Sequence, residues 1–461
     1  MRHRMNRMKR IRTQAARLEA GQMQTVFERF LRLPQGFGVF ERERLYTPAR
    51  VFWIFLAQVL CADGACVNAV MNFLAWLKNA TGQEASPQTG AYCRARQRLA
   101  LEQIQALHAP LADALDGAAA LFWGRRVLVV DGSSLSMPDT EANQKAWPQP
   151  SAQKPGCGFP VMRFLAVFSL STGVWRTLIP SPLSTGERSL FHAAWERLEP
   201  NTIALCDAGF CSYADYVLLR RRQVDCVMHN HQRRKKGLRE LKRFGKHDRL
   251  VAWFKGPMRP AWLTKEQWDE LPETFCVREI TVHIDEPGFR TETVVIATTL
   301  LDPKKYPADE IAELYRRRWA VELYLRDIKI AMGMDVLRCK TPAMVQKELW
   351  MHVLAYNLVR ALMLEAAQGH RAPLERISFK GTCDAIRNWA PVLAAVPKAK
   401  RTTFFVTLLR CIARAIVPYR PNRSEPRAKK RRPKNYQRLT QPRHIFKECP
   451  HRAKYKAHRL K

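Results

Sequence analysis

The sequence predicts an α/β fold, in which a helical N-terminal domain precedes an α/β core with a β-rich insertion, and a helical, basic region follows. Three observations lead to this prediction. Apolar residues recur at helical spacing before about residue 120, short apolar runs typical of strands alternate with helical segments after residue 125, and 47% of the 461 residues are hydrophobic. A chain of this length and hydrophobic content can form about two to four domains with packed cores.

Residues 1–118 are predicted to form a helical, DNA-binding N-terminal domain. The segment "RVFWIFLAQVLCADGACVNAVMNFLAWLKNA" has helical apolar spacing, and "AYCRARQRLALEQIQALHAPLADALDGAAAL" repeats it after the break "ASPQTG". The second segment carries Arg94, Arg96 and Arg98 near its start, and a small basic helical bundle is a common way to dock on duplex DNA. A helical dimerisation or packing module is the alternative.

Residues 119–232 are predicted to form the first part of the core. "RRVLVVDGSSL" is a strand whose apolar run stops at Asp131, and two further strand-like runs follow it around a Ser-Thr-Gly turn. After one helical segment, "NTIALCDAGF" is another strand, and its apolar run stops at Asp207. A second helix and a further strand complete the order β-β-β-α-β-α-β, which is the order of a ribonuclease-H-like domain.

Three segments complete the predicted organisation. Residues 233–305 form a β-rich insertion subdomain, in which "FCVREITVHI" and "TETVVIATTL" flank the turn "DEPGF" as a hairpin. Residues 306–380 form the second part of the core and carry a helix with Glu322. Residues 381–461 form a C-terminal helical region and a basic tail, which we expect to be disordered until it meets a polyanion; a solubilising extension is the alternative.

The charge of the chain predicts a polyanionic partner. The formal net charge is +36, from 77 basic and 41 acidic residues, so nucleic acid is the first candidate; a ribosome-associated or membrane-surface protein is the alternative. The sequence has no Walker A, GxGxxG or HExxH pattern, which argues against nucleotide-driven motors, dinucleotide enzymes and zincin proteases. With no transmembrane or secretory segment and scattered cysteines, we expect a cytoplasmic, nucleoid-associated protein without membrane partners.

The stretch "YRRRWAVELYLRDIK" predicts a helix with a carboxylate on a cationic face. At about 100° per residue, Tyr315, Arg318, Glu322 and Lys329 fall within a stripe of roughly 60°, beside an apolar stripe that can pack on a core. A solvated face with intrahelical Arg–Glu pairing is the ordinary interpretation of such a pattern.

Three distant acids, Asp131, Asp207 and Glu322, are the candidate catalytic and metal-binding residues. In a strongly basic protein, converging carboxylates are suited to divalent-metal chemistry on a phosphodiester. Two Mg²⁺ ions about 3.5–4 Å apart, for which Mn²⁺ could substitute, can activate an attacking oxygen and stabilise a leaving one. An aspartate at a strand end is also common simply because aspartate favours turns.

The sequence closely resembles the insertion-sequence-four family of DDE transposases over about residues 120–365. The family signature of Tyr, two residues, Arg, three residues, Glu, six residues and Lys is matched in full by Tyr315, Arg318, Glu322 and Lys329. These flanking residues, Tyr315, Arg318 and Lys329, are predicted to bind DNA phosphates and to neutralise developing charge.

The two aspartate regions also resemble that family. "DGSSLSMPDTEAN" is similar to the first-aspartate region and "DAGF" to the second, which places the family's aspartates at Asp131 and Asp207. Many members have arginine after the second aspartate, where this chain has Ala208, so any substrate contact made by that arginine is missing here.

The resemblance implies a ribonuclease-H-like catalytic core with a β-strand insertion, and cut-and-paste transposition by DNA cleavage and strand transfer. The implied partners are double-stranded DNA, as terminal inverted repeats and target DNA, and a second copy of the chain in a homodimeric DNA complex. Members with a hairpin step flip a base onto a tryptophan of the insertion, where this chain has Trp253, Trp262 and Trp268, each of which can equally pack in a core. A non-catalytic, sequence-specific DNA-binding protein and a nuclease of the same fold without strand transfer are the alternatives.

Overall fold

The computed structural model describes residues 21–38, 45–117, 120–230, 238–283 and 293–418, together with residues 439, 441, 442 and 445. The chain is α/β: helices pack on both faces of a nine-stranded mixed sheet. The predicted α/β class is confirmed, whereas the division into five segments stays a prediction. Most of the basic tail and the turn "DEPGF" lie outside the described residues. In the portion of the chain that is described, no helix has the length and apolar character needed to cross a membrane.

Within residues 21–117, the described part of the chain before the sheet contains six helices. They are α1 (Gln22–Phe27), α2 (Pro48–Leu60), α3 (Cys66–Thr81), α4 (Gly90–Arg98), α5 (Leu101–Ala106) and α6 (His108–Asp116). Helix α2 begins with a capping threonine: Thr47 accepts the backbone N–H of Arg50, and Pro48 occupies the first turn. Helix α3 ends at Gly82, whose φ of 71° is the left-handed conformation that glycine adopts at little cost.

The sheet has the order β3-β2-β1-β4-β5-β9-β8-β7-β6. Its strands are β1 (Val127–Ser136), β2 (Val161–Ser169), β3 (Trp175–Pro182), β4 (Ile203–Cys206), β5 (Asp225–His229), β6 (Leu238–Gly245), β7 (Asp248–Phe254), β8 (Thr274–His283) and β9 (Thr293–Thr298). The first three strands form an antiparallel meander, and β4 and β5 then add in parallel to β1. Strands β6 to β9 continue the same sheet from β5, so the predicted insertion strands lie in the plane of the core strands.

The remaining described helices pack on the sheet or on other helices. They are α7 (Glu141–Ala146), α8 (Glu187–Ala194), α9 (Tyr213–Arg221), α10 (Lys265–Asp269), α11 (Ala308–Arg316), α12 (Ala320–Arg326), α13 (Pro342–His370), α14 (Phe379–Ala395) and α15 (Lys398–Arg414). Helix α13 is the most enclosed of them, with most of its residues buried over 29 residues. One of them, Asn357, exchanges hydrogen bonds with the backbone of Trp175, which ties α13 to β3.

Alternate residues of the strands enter two different cores. Val127 and Val129 of β1 join a cluster that includes the N-terminal helices, α11, α12 and α13. Leu128 and Val130 face the other way, into a smaller cluster with α8 and α9. The N-terminal helices therefore share one hydrophobic core with the sheet face that carries Asp131.

One of the predicted DNA-contacting arginines serves that core instead. Arg96 is buried, donates to Gln58 and lies with its guanidinium carbon 4.7 Å from the centre of the Phe55 ring. Arg94 and Arg98, on the same helix α4, are exposed. At about 100° per residue, Arg94 and Arg98 fall on one face of the helix and Arg96 on the opposite face, which here is the buried one.

Candidate active site

Asp131 and Asp207 lie side by side just beyond the parallel pairing of β1 with β4. The last parallel pair of β1 and β4 joins Val129 to Leu205, and each aspartate follows two residues later. Because side chains alternate along extended chain, both aspartates lie on the face that buries Val129 and Leu205. The sequence predicted that β1 ends at Asp131, but the strand continues to Ser136 because β2 goes on pairing with it after β4 has stopped.

Local hydrogen bonds hold both carboxylates at this edge. Asp131 Oδ1 accepts the backbone N–H of Gly132 at 2.8 Å, and Asp207 Oδ1 accepts that of Gly209 at 2.8 Å. Asp207 thereby caps the short 3-10 turn Ala208–Phe210. A Cβ at Gly209 would lie 3.1 Å from Asp207 Oδ1, so the glycine of "DAGF" leaves room for this carboxylate.

Asp131 is in an environment that disfavours its charge. Burial raises its pKa to about 6, the Gly132 N–H opposes that rise, and the neighbouring carboxylate of Asp207 adds to it. Arg318 lowers the pKa of Asp131, and Glu187 raises it further. A cation at this edge would therefore relieve both desolvation and like-charge repulsion.

The helical stretch with Glu322 is continuous but not uniformly α-helical. Helix α11 passes through a 3-10 turn (Arg317–Trp319) into α12, which then opens into a π-helical turn (Asp327–Ala331). The predicted apolar stripe is buried as expected, at Leu314, Val321, Leu325 and Ile328. Sequence spacing assumed 3.6 residues per turn throughout and could not show these two changes of pitch.

Tyr315 and Arg318 point into the site rather than to solvent. Burial raises the pKa of the Tyr315 phenol to about 12; Arg318 lowers that pKa, and Asp207 raises it. The Arg318 side chain is only 10% exposed, and its Nη2 lies 3.8 Å from Glu322 Oε1. Its Nε is buried and has no hydrogen-bond partner among the described residues. Arg318 thus contacts Glu322 and lies near enough to Asp131 to lower the pKa of that carboxyl group.

Lys329 reaches the same strand from the π-helical turn. Its Nζ lies 3.5 Å from Ser133 Oγ and 3.2 Å from Asp335 Oδ1. Ser133 is two residues beyond Asp131 on β1, so Lys329 lies on the same face of the sheet. The signature residues Tyr315, Arg318 and Lys329 therefore converge on the end of β1.

The donor chemistry of this edge suits a hard divalent cation. Asp131 and Asp207 supply neighbouring carboxylate oxygens, the ligands that Mg²⁺ and Mn²⁺ prefer. Glu322, whose side chain is 52% exposed, is held towards Arg318 instead. Nowhere in the described ranges do three or more His, Cys, Asp or Glu side chains stand close enough together to hold a metal ion.

A fourth carboxylate at this edge was not predicted from the sequence. Glu187 opens α8, and a Cβ added to Gly132 would lie 2.8 Å from its carboxyl carbon. The sequence shows only an acidic residue in the first turn of a helix, which is common because it complements the helix dipole. The proximity to Gly132 depends on tertiary packing and has no sequence pattern.

The three tryptophans of the insertion differ in accessibility. Trp253 is fully buried and donates to Glu279, so it packs in the core. Trp262 is 36% exposed and stacks on His192 of α8, with ring centres 3.8 Å apart. Trp268 lies beneath the Lys255 ammonium, 5.3 Å from ring centre to Nζ.

Comparison with known proteins identifies the family. Residues 122–358, just over half of the chain, match the family described as transposase DDE domain. The chain is 26% identical over 355 residues to the transposase InsG for insertion sequence element IS4 of Escherichia coli K12, covering 75% of this chain and 77% of that protein. It is also 32% identical over 65 residues to the Escherichia coli transposase for insertion sequence element IS421, 14% of this chain and 18% of that one.

One solved structure has a more distant similarity. It is the piggyBac transposase synaptic complex with hairpin DNA, with a TM-score of 0.42 and 8% identity over 85% of this chain and 84% of that chain. The family match and the long alignment agree with the resemblance found in the sequence. The chain belongs to the transposase DDE domain family and is a DNA transposase of the insertion-sequence-four type.

Proposed function

We propose that this transposase moves an insertion sequence by cut-and-paste, with Asp131, Asp207 and Glu322 as the residues that hold its divalent cations. The observation that carries the proposal is the placement of Asp131 and Asp207 on adjacent segments, each two residues beyond the last parallel pair of β1 and β4, beside an arginine that also contacts Glu322. When bound, a pair of Mg²⁺ ions, or Mn²⁺ in their place, would activate the attacking oxygen and stabilise the leaving oxygen of a phosphodiester.

The protein's own cations would orient the DNA strand. Arg318 and Lys329 flank the aspartates from the Glu322 helix, and each has a group able to donate to a phosphate oxygen. Tyr315 has a pKa raised to about 12, so its hydroxyl remains a hydrogen-bond donor at neutral pH. These three residues would bind the scissile strand. They would also keep every water molecule except the attacking one away from the phosphate.

We further assign the core to the ribonuclease-H-like type. An antiparallel meander followed by two parallel strands, in the order β3-β2-β1-β4-β5, supports this assignment. So does the return of the chain, after strands β6 to β9, to a helix that packs on the face carrying the first two acids. The insertion then stands between the second aspartate and the glutamate, as in the resembling family.

The DNA partners follow from the reaction. An element has two ends, which must be cut and joined together, so the active complex is proposed to be a homodimer on terminal inverted repeats and target DNA. The net charge of +36 supports extensive phosphate contacts, and binding should therefore weaken steeply as salt is raised.

End cleavage and strand joining test this proposal. Labelled duplexes that carry the inverted repeats flanking the reading frame are incubated with the protein and Mg²⁺, Mn²⁺ or EDTA. We expect cleavage and joining with either metal and none with EDTA. Asp131→Asn, Asp207→Asn and Glu322→Gln should each lose cleavage while binding the duplex like wild type.

Two matched variants control for the loss of an acid. Asp139→Asn changes an exposed aspartate that follows β1. Glu313→Gln changes a glutamate of α11 whose carboxylate pairs with Arg316. Both should cleave normally. Retained cleavage in any of the three site variants contradicts the assignment. Cleavage without joining identifies a nuclease, and binding without cleavage in the wild type identifies a non-catalytic DNA-binding protein.

A further inference from the structure

Glu187 lies at the proposed site although it is not one of the three family acids. The carboxyl group lies against Gly132: a Cβ there would be 2.8 Å from Cδ and 2.9 Å from Oε1. The N–H of the same glycine donates to Asp131 Oδ1 at 2.8 Å. The carboxylates of Asp131 and Glu187 thus border a single residue of β1.

The missing side chain of Gly132 matters for the close approach of Glu187, and the backbone conformation at this position does not call for a glycine. Its φ is not positive, unlike that of nine other described glycines, so an L-residue could adopt the same backbone conformation. The three atoms nearest to such a Cβ all belong to the Glu187 side chain. The glycine at 132 therefore leaves the space in which a second carboxylate lies close to Asp131.

Helix α8 is fixed so that Glu187 stays in this place. Its Arg188 and His192 both bond to Asp215, at 3.0 and 2.8 Å, and the Asp215 side chain is fully buried. One turn beyond Glu187, Phe191 packs on Phe210 of the turn that follows Asp207, with ring centres 5.0 Å apart. The helix is thereby tied to the neighbourhoods of both catalytic aspartates.

Neighbouring cations do not neutralise Glu187. Arg188 is directed to Asp215, and Arg163 of β2 donates to the carbonyl of Thr185. In the described ranges Glu187 forms neither an ion pair nor a hydrogen bond, and it is exposed to solvent. An exposed carboxylate beside Asp131 that has no cation partner among the described residues is suited to bind one.

We infer that Glu187 is a fourth acid of the active site, which helps to bind the divalent cation beside Asp131 through that cation's water shell. This inference rests on the proposed function. The role fits Mg²⁺, which dehydrates reluctantly and keeps several of its waters in protein sites. Glu187 is a positioning residue in this account, since Asp131 and Asp207 supply the direct ligands.

Mn²⁺ binding tests the inference without relying on catalysis. The full-length protein, bound to an end duplex, is melted over a range of Mn²⁺ concentrations, and the midpoint of the metal-induced rise in Tm is recorded. We expect Glu187→Gln to need on the order of 10-fold more Mn²⁺ to reach this midpoint, which is the usual effect of removing a residue that supports a metal's direct ligands. Glu196→Gln, an exposed acid just beyond the same helix, should match wild type.

A second variant separates the carboxylate's position from its charge. Gly132→Ala should displace Glu187 and raise the Mn²⁺ midpoint by about as much as Glu187→Gln does. The double variant should then have nearly the same midpoint as Glu187→Gln alone. Cleavage by both variants should recover at saturating Mn²⁺, which a general folding defect would not allow.

The outcomes distinguish this inference from the function on which it rests. An unchanged midpoint in Glu187→Gln, together with a shifted one in Asp131→Asn, overturns the role of Glu187 alone. If Mn²⁺ does not raise the Tm of the wild type, or raises the Tm of Asp131→Asn equally, the proposed metal site is wrong and the inference fails with it.

Discussion

The Arg318 guanidinium lies 3.8 Å from the Glu322 carboxylate while its own side chain is only 10% exposed. The same guanidinium is 4.8 Å from the centre of the Trp319 ring, and its charge lowers the pKa of Asp131. Arg318 therefore links the glutamate of the site to its first aspartate. In the proposed DNA complex, the same group would be available to a phosphate oxygen once cations occupy the carboxylates.

Replacing Arg318 by lysine tests this link. Lysine keeps the charge but loses the planar fork and the stacking on Trp319, so transition-state contacts to phosphate should weaken. We expect Arg318→Lys to slow single-turnover end cleavage by on the order of 10²–10³-fold, the usual effect of losing one charge-stabilising donor. Arg316→Lys, an exposed partner of Glu313, is the control. Cleavage by Arg318→Lys at the wild-type rate would show that the guanidinium is not needed.

Lys329 and Asp335 should have opposite effects on DNA binding. Their side chains are 3.2 Å apart, so in the free protein Asp335 competes with phosphate for Lys329. Lys329→Ala should reduce the slope of log K against log salt by about 1, the effect of losing one phosphate contact. Asp335→Asn should tighten binding, most clearly at low salt. Equal slopes for Lys329→Ala and wild type would remove Lys329 from the DNA interface.

His108 predicts a loss of stability on acidification. Burial lowers its pKa to about 4, while its Nε2 lies 2.7 Å from the Trp175 carbonyl. Because the unfolded chain takes up a proton near pH 6.5 and the folded chain only near pH 4, stability falls as pH falls between those values. Between pH 7 and pH 5, wild type should lose about 2 kcal/mol more free energy of unfolding than His108→Gln. Urea denaturation at both pH values measures this, and equal losses would contradict it.

Arg278 should anchor the insertion to the Glu322 helix. Its side chain is fully buried, bonds both oxygens of Asp248 at 2.8 and 2.6 Å, and donates to the Tyr306 carbonyl just before α11. Arg278→Leu leaves Asp248 without its partner and should cost about 3–5 kcal/mol.

The double variant Arg278→Leu with Asp248→Leu should recover part of that loss, because no buried charge is left unpaired. As a control, Arg243→Leu breaks the exposed pair with Glu240 and should cost at most about 1 kcal/mol. Thermal or urea denaturation of the full chain gives these values. A double variant that is less stable than Arg278→Leu alone would mean that the pair is not the cause.

Much of the fold was predictable because its strands and helices have distinct periodicities. The apolar runs before Asp131 and Asp207 form the neighbouring strands β1 and β4, and the stripe containing Val321 and Ile328 is buried. The continuation of β1 beyond Asp131 was not predictable, because its polar residues "GSS" are held by pairing with β2 rather than by burial.

The site was predictable only as far as its motif extends. Tyr315, Arg318 and Lys329 do approach the segments around Asp131 and Asp207, whereas the changes of helical pitch between them leave no pattern in the sequence. The proximity of Glu187 to Gly132 was not predictable, because it joins segments that are distant in sequence. Such contacts require the tertiary structure.

The most direct test of the central claim is a structure of the protein bound to an insertion-sequence end in Mn²⁺, with the ions located by their anomalous scattering. The account predicts ions held by Asp131, Asp207 and Glu322 beside the scissile phosphate, with Arg318 turned to the DNA. Ions bound elsewhere, or a Glu322 carboxylate that stays away from the two aspartates in the DNA complex, would contradict it.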